Sequence, residues 1–381
     1  MIRTAGCAAP AARNRTDTQR KATSLVLLRA ASRLVISSIQ LDQDNALPRL
    51  AICIPVRNEA AELPHLFDAL DRLNGVDEGP VRLCLLLDGC IDGSAALARA
   101  YGERSRLIVS VAAVAPAPAN AGRARHLAMK MGMEAIGADD GLLLTTDADS
   151  VPAPGWLSAM RAALARADVV AGRIVRGGDR PSPLQDRLER YYDALFALRR
   201  RLDPVPWEAE LTHHHAGGAN LGVRAEAYRA LGGFVPRASG EDAQFLDDAA
   251  RAGLRVTRDP ASIVRTSDRR QGRVPGGLSA ALSDLDGTDA MRLEVTHPVD
   301  MAWQYRHQAL ARAAFADGDL RRVATSLGLT HDHVRGVARD CPNAEAFAMR
   351  VVPVPPGGMR VASLCLAEEA LSGLQQARAA A

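Results

Sequence analysis

Two carboxylates stand together where an apolar run ends: Gly141-Leu142-Leu143-Leu144-Thr145-Thr146 leads into Asp147-Ala148-Asp149-Ser150. A short apolar run stopped by polar turn formers reads as a central strand of a parallel sheet, and ligands of open α/β sheets gather at the carboxyl ends of such strands. Residues two apart in an extended segment point to one side. Asp147 and Asp149 can therefore share one divalent cation and hold it against the phosphates of a substrate. The same residues also suit a turn into Val151-Pro152-Ala153-Pro154-Gly155, because Asp favours turns. The stretch alone leaves both readings open.

Other chemistry-bearing residues recur at comparable places. Pro55-Val56-Arg57-Asn58-Glu59 follows one apolar run and Asp88-Gly89 another, while Glu241-Asp242 opens an amphipathic segment. Each has a plain structural use as well: Pro55 ends a strand, Asn58 caps the following helix, Asp88 makes a turn and Glu241 and Asp242 favour a helix start. Asn120-Ala121-Gly122-Arg123-Ala124-Arg125-His126 reads as a helix start whose free N–H groups suit an anion, with Arg123 as charged partner and Arg125 a solvated neighbour. Of His213-His214-His215, alternation lets His213 and His215 reach one ion together, as zinc ligands would. Arg269-Arg270-Gln271-Gly272-Arg273 is a loop whose arginines, Arg270 and Arg273 among them, suit a phosphate or simply solvent.

The elements that must position these residues alternate in type. Residues 50–56, 81–87, 107–113, 142–146 and 168–175 read as strands. Residues 62–73, 94–101 with Asp92 as cap, 122–136 and 154–165 read as helices with one apolar face. Strand and helix alternating over short connections predict a mainly parallel sheet covered on both sides. Beyond residue 176 the alternation lapses: a charged helix over 184–201, an irregular stretch with Trp207, Glu208 and Glu210, a short strand at 217–223, helices over 224–231 and 241–252, and one or two strands over 255–265. From about residue 298 the pattern is helical, broken by Pro353-Val354-Pro355-Pro356-Gly357-Gly358. The expected organisation is an Arg-rich, poorly ordered or partly helical extension over 1–48, an α/β domain over 49–295 and a helical extension over 296–381.

Composition narrows the function classes. The chain of 381 residues is 48 % apolar and 24 % charged with a formal charge of +3, which argues against nucleic acid as a partner. Lys21 and Lys130 are its lysines, so arginine carries nearly all positive charge. The six cysteines show neither a Cys-x-x-Cys pair nor His at zinc-ligand spacing, which predicts reduced thiols and a cytoplasmic protein. The most apolar stretch, 24–41, is broken by Arg29 and Arg33, so no transmembrane segment is expected, while a membrane-surface or oligomer contact by residues 298–381 is compatible with the pattern.

The order Pro55-Val56-Arg57-Asn58-Glu59, Asp88, Asp147-Ala148-Asp149, Glu241-Asp242 over residues 50 to about 265 resembles the family 2 glycosyltransferases, nucleotide-sugar enzymes of the GT-A fold. The resemblance implies that Pro55, Arg57 and Glu59 line the nucleotide pocket, that Asp88 takes the ring N–H of the base, and that Arg123 and its helix start meet nucleotide or diphosphate. It further implies that Asp149, with Asp147, binds Mg2+ or Mn2+, and that Asp242 is the base of an inverting transfer, supported by Glu241. His215 and the strand at Asn220 would border the hydroxyl acceptor, and Arg270 and Arg273 would sit on a closing flap. Leu87 stands where many members carry a second Asp, which leaves the base open. Without the tryptophan signature of processive synthases, one sugar moves per event, as in hexosyltransferases. Two other readings stand beside this one. A sugar-phosphate nucleotidyltransferase needs a Gly-, Arg- and Lys-bearing loop after the first strand, which residues 55–59 do not supply. A degenerate nucleotide-sugar-binding module would lack one of Asp147, Asp149 and Asp242, all of which are present.

Overall fold

The computed structural model describes residues 50–137, 141–177, 182–272, 278–289 and 291–376; the extension expected over 1–48, and Arg273, lie outside the described residues. Strands β1 (Leu50–Val56), β2 (Val81–Asp88), β3 (Ile108–Val114) and β4 (Leu142–Thr145) pair in parallel in the order β3-β2-β1-β4. Their alternate residues feed two cores. Ile52, Ile54, Leu83, Leu85 and Leu144 pack against α1 (Leu63–Asp71), α2 (Ser94–Arg104) and α4 (Trp156–Leu164). Ala51, Cys53, Cys84, Leu86 and Leu143 pack against α3 (Ala121–Ile136), α6 (Ala225–Leu231) and α7 (Glu241–Arg251). Burial on both faces is why these strands are continuous apolar runs rather than alternating ones. On the α3 side space is tight: a Cβ on Gly132 would lie 2.4 Å from Cys53 Sγ, so glycine lets the helix sit on the sheet.

The second half of the sheet is not parallel as the alternation predicts. β7 (Leu221–Arg224) runs antiparallel to β4 and to β6 (Val169–Arg176), and β8 (Val256–Thr266) returns parallel to β6. Between β6 and β7 the chain forms α5 (Pro183–Leu202). The stretch expected as one strand at 217–223 divides into a 3₁₀ turn, Gly218–Asn220, and β7. β8 is one strand with a bulge, opposite Gly172 and Arg173, where Ser262 Oγ donates to Asp259 Oδ2 at 2.8 Å. Three short elements have too few residues to show a period: β5 (Ser150–Pro152) on the edge of β8, and the antiparallel pair of β9 (Glu294–Thr296) and β10 (Val361–Ser363). A helix, α8 (Leu278–Asp286), also follows the arginine loop.

Asn220 is the pin of this half. It is fully buried, accepts from Trp156 Nε1 at 2.8 Å and donates through Nδ2 to the carbonyls of Arg173 and Ser262, both at 2.8 Å. Expected at the acceptor from the family pattern, Asn220 instead has its whole amide spent on β6, β8 and α4. Asn220→Ala strands three buried polar groups, each worth about 1–3 kcal/mol when left unpaired. The expected result is a lower urea midpoint with unchanged ligand affinity in the folded fraction; an unaltered midpoint would show the pin to be dispensable.

Five helices follow β9: α9 (Pro298–Asp317), α10 (Leu320–Leu327), α11 (His331–Arg339), α12 (Ala344–Val351) and α13 (Leu364–Gln376). Tyr191, Leu195 and Leu198 of α5 share a core with Tyr305, Leu364 and Leu371, so α5 is built into this helical layer. α12 in turn braces α7, since Asn343 Nδ2 donates to Gly253 O and Arg350 Nε to Arg251 O. Among the described residues no helix is long and apolar enough to cross a membrane.

Candidate active site

The carboxyl ends of β1, β2 and β4, the start of α7 and the segment after β8 converge on one cavity of about 560 Å³. Pro55, Arg57, Glu59, Asp88, Asp147, Asp149, His215, Glu241 and Asp242 line it, whereas Arg123, Asn220 and Arg270 do not.

At the β1–β2 end, Asp88 is 1 % exposed and carries two arginines. Arg57 Nη1 donates to Oδ2 at 2.9 Å and Arg123 Nη2 to Oδ1 at 2.6 Å, while Arg57 Nη2 reaches Ala117 O. Arg123, expected on an anion at the helix start, is thus held by Asp88. The cap of α3 is Asn120, whose side chain accepts from Arg123 N at 2.8 Å. Asn58 does not cap the next helix: it takes a left-handed turn, φ 54°, and accepts from Ile91 N, tying the loop after β1 to the loop after β2.

Asp147 and Asp149 do not lie in extended chain. Ser150 N donates to Asp147 O at 3.1 Å, closing a turn, so the same-side argument from strand alternation does not apply. The turn still turns both acids toward the cavity. Asp147 accepts from Arg125 Nη1 at 3.0 Å. Asp149 faces Arg269 Nη2 at 3.0 Å, and Arg269 also forks onto Glu59 at 2.7 and 2.8 Å. Burial, then Asp147 and Glu59, raise the Asp149 carboxyl to about 7 against the pull of Arg269.

Arg125 and Arg269 are the residues that sequence reasoning missed. Arg125 is not solvated but 5 % exposed. It donates to Glu241 Oε1, Asp147 Oδ1, Thr145 Oγ1 and Gly218 O. Burial lowers its proton affinity, yet Asp147, Glu241 and Asp242 together raise it above the ordinary arginine value. Its position was readable, because Gly122, Arg125, Ala128, Met129, Gly132 and Ile136 make one buried stripe of α3 at helical spacing. A Cβ on Gly218 would lie 2.2 Å from Arg125 Cζ, so glycine is what admits the guanidinium. Of the described arginines of the loop, Arg269 turns inward, whereas Arg270 pairs with Asp286.

Asp242 occupies the first turn of α7 after Gly240, φ 75°. Its Oδ2 accepts from Gly218 N at 2.7 Å and its Oδ1 from Ala243 N at 2.8 Å. Glu241 beside it is 3 % exposed, and burial raises its carboxyl against the pull of Arg125. The histidines separate: His213 is fully buried, while His214 and His215 border the cavity. Burial, helped by Arg258, lowers His213 to about 3; burial, then His214 and His213, lower His215 to about 2.

The family model for glycosyl transferase family 2 matches residues 51–222, the stretch holding Arg57, Asp88, Asp147 and Asp149. Residues 51–222 are a glycosyl transferase family 2 domain. Over those residues the chain is similar to the glycosyltransferases of that family, and its mainly parallel sheet with helices on both faces agrees with the arrangement expected from the resemblance. Asp242 lies beyond the matched stretch of the family 2 domain. No curated protein matches the chain in sequence. Similar solved structures include S. aureus TarS 1-349 in complex with UDP-GlcNAc, at 13 % identity over 80 % of this chain and 89 % of that one, TM-score 0.47. Mannosyltransferase PcManGT from Pyrobaculum calidifontis, in complex with GDP-Man and Mn2+, is 17 % identical over 80 % and 86 %, TM-score 0.44. Glucosyl-3-phosphoglycerate synthase from Mycobacterium tuberculosis is 18 % identical over 74 % and 81 %, TM-score 0.39. These likenesses are distant, and the family match carries the assignment.

Proposed function

We propose that the chain moves a single sugar, with inversion, from a nucleoside diphosphate to a hydroxyl acceptor, that Asp242 is the base and that a divalent metal is required. The observation that carries this reading is the convergence on one cavity of Asp88 from the end of β2, Asp147 and Asp149 from the turn after β4, and Asp242 from the start of α7. Asp88, with Arg57, borders the end that suits the base and ribose. Its two arginine bonds must loosen or rearrange for it to take a ring N–H.

The donor set fits a hard dication. Burial, with Asp147 and Glu59 close by, raises the Asp149 carboxyl to about 7, and Arg269 supplies the only cationic contact that Asp149 makes among the described residues. A Mg2+ or Mn2+ ion takes oxygen ligands and keeps room for phosphates. Asp149 and Asp147 would hold it. When bound, it supplies the charge that offsets the departing diphosphate. Arg269, freed from Asp149, is then placed to meet a phosphate oxygen.

Asp242 has what a base needs: a carboxylate on the cavity wall, fixed by Gly218 N–H and Ala243 N–H, with a remaining lone pair for an acceptor hydroxyl. It takes the proton as the hydroxyl oxygen bonds the anomeric carbon and the bond to the diphosphate breaks, through a transition state with oxocarbenium character. Free thiols at Cys53, Cys84, Cys90, Cys341 and Cys365 agree with a cytoplasmic site of action, which belongs to the same proposal.

Calorimetric titration with UDP, GDP and dTDP, each with and without Mn2+, tests the donor site. Manganese-dependent binding of one nucleotide is expected, and Asp149→Ala should remove the manganese dependence. Folded protein that binds none of the three would overturn the reading in favour of a degenerate module.

A further inference from the structure

We infer that Asp193, His214 and His215 form a second metal site, for a zinc-class divalent ion, on the wall of the same cavity. The inference is independent of the donor reading, because it rests on other residues and other donor chemistry.

Among the described residues these three bring one ligand atom each to within 4.8 Å of one another. Asp193 comes from α5, and both histidines from the segment leading into the 3₁₀ turn. The pair expected from alternation was His213 with His215; the structure replaces His213, which is buried behind the wall, by His214. Asp193 Oδ1 and His214 Nδ1 lie 2.8 Å apart. That separation serves a hydrogen bond; an ion on bonds of about 2.0–2.2 Å would open it by roughly half an ångström, to about 3.3–3.6 Å at the tetrahedral angle. His215 stacks on His214 with ring centroids 4.2 Å apart, and its buried Nδ1 has no hydrogen-bond partner. A buried imidazole nitrogen left without a partner is costly unless something takes it up, and a metal ion does so.

The surroundings behave as an outer shell should. Arg173 Nη2 donates to Asp193 Oδ2 at 2.7 Å and His214 N to Oδ1 at 3.1 Å, fixing the carboxylate while Oδ1 stays beside the imidazoles. Ligating carboxylates are commonly held this way. Two imidazoles and one carboxylate select zinc, cobalt, nickel or iron(II) over magnesium. Three protein ligands beside a cavity leave a coordination position open to whatever enters it, the pattern of a working site rather than of a closed structural one.

The test uses the full chain, stripped with a chelator and carrying Asp147→Asn and Asp149→Asn to silence the carboxylate site, titrated with Co2+ alone. One equivalent is expected, with a visible absorption band that Zn2+ abolishes. In the same background, Asp193→Asn, which keeps a hydrogen-bonding partner for His214, and His215→Gln should each weaken Co2+ by more than about tenfold, as even outer-shell changes often do. Thermal melts of the apo proteins establish that both variants fold. Absence of Co2+ uptake in the double variant, or uptake indifferent to both Asp193→Asn and His215→Gln, overturns the inference.

Discussion

Asp242→Asn is expected to slow transfer by about 10²–10⁴ and to leave donor binding intact. The substitution preserves shape, and its side-chain oxygen can still accept from Gly218 N–H, so the start of α7 keeps its place. What it removes is the capacity to accept a proton. Loss of a general base costs about 10²–10⁴ in rate. Release of nucleoside diphosphate from the donor that calorimetry identifies should therefore fall by that factor at an unchanged donor dissociation constant. Two outcomes would refute the role. Retained turnover would mean that another group takes the proton, and parallel loss of donor affinity would mean that Asp242 shapes the donor site instead. His214, which lies on the same cavity wall with its Nδ1 on Asp193, is the first replacement to examine in the former case.

How far the sequence carried can be followed residue by residue. The first half was legible because its physics is local. Strands β1, β2 and β4 are buried on both faces and so are unbroken apolar runs, and the helices between them carry a single apolar stripe. The acids at the strand ends were legible for the same reason, since the apolar runs stop where the cavity begins. The direction of β7 was not legible, because a four-residue strand records burial but not which neighbour it pairs with. Asn220 and Arg269 show a different limit. An amide that pins three segments and an amide that meets a ligand look alike in sequence; only the positions of Trp156, Arg173 and Ser262, far apart along the chain, tell them apart. Likewise the arginine loop does not say which residue turns inward; of the described Arg269 and Arg270 it is Arg269, because Glu59 and Asp149 are there to receive it. The turn at Asp147–Ser150 carries the opposite lesson. The acids reached the cavity although the extended geometry used to place them was wrong, since a turn after a central strand faces the same crevice.

Arg125 is the residue whose loss should cost the fold most. One guanidinium, nearly sealed from solvent, binds the acid loop through Asp147, the start of α7 through Glu241 and the 3₁₀ turn through Gly218 O. Removing one partner of a buried ion pair leaves an uncompensated charge and costs about 3–5 kcal/mol, far more than the pair is worth against an apolar replacement of both. Arg125→Met should therefore lower unfolding stability by about that amount. Glu241, already pushed upward by burial, would be left without its counter-charge. The two groups are in direct contact, so their effects should not add. Arg125→Met with Glu241→Leu should recover a large part of the loss, because no unpaired charge then remains at the Glu241 position. Asp147, at 36 % side-chain exposure, can be hydrated when Arg125 leaves and should matter less to stability. Denaturant unfolding of the wild type, the two single variants and the double variant decides the matter. Additive effects would mean that Arg125 stabilises by packing alone, and that the acid loop and the start of α7 are set independently rather than by a shared cation.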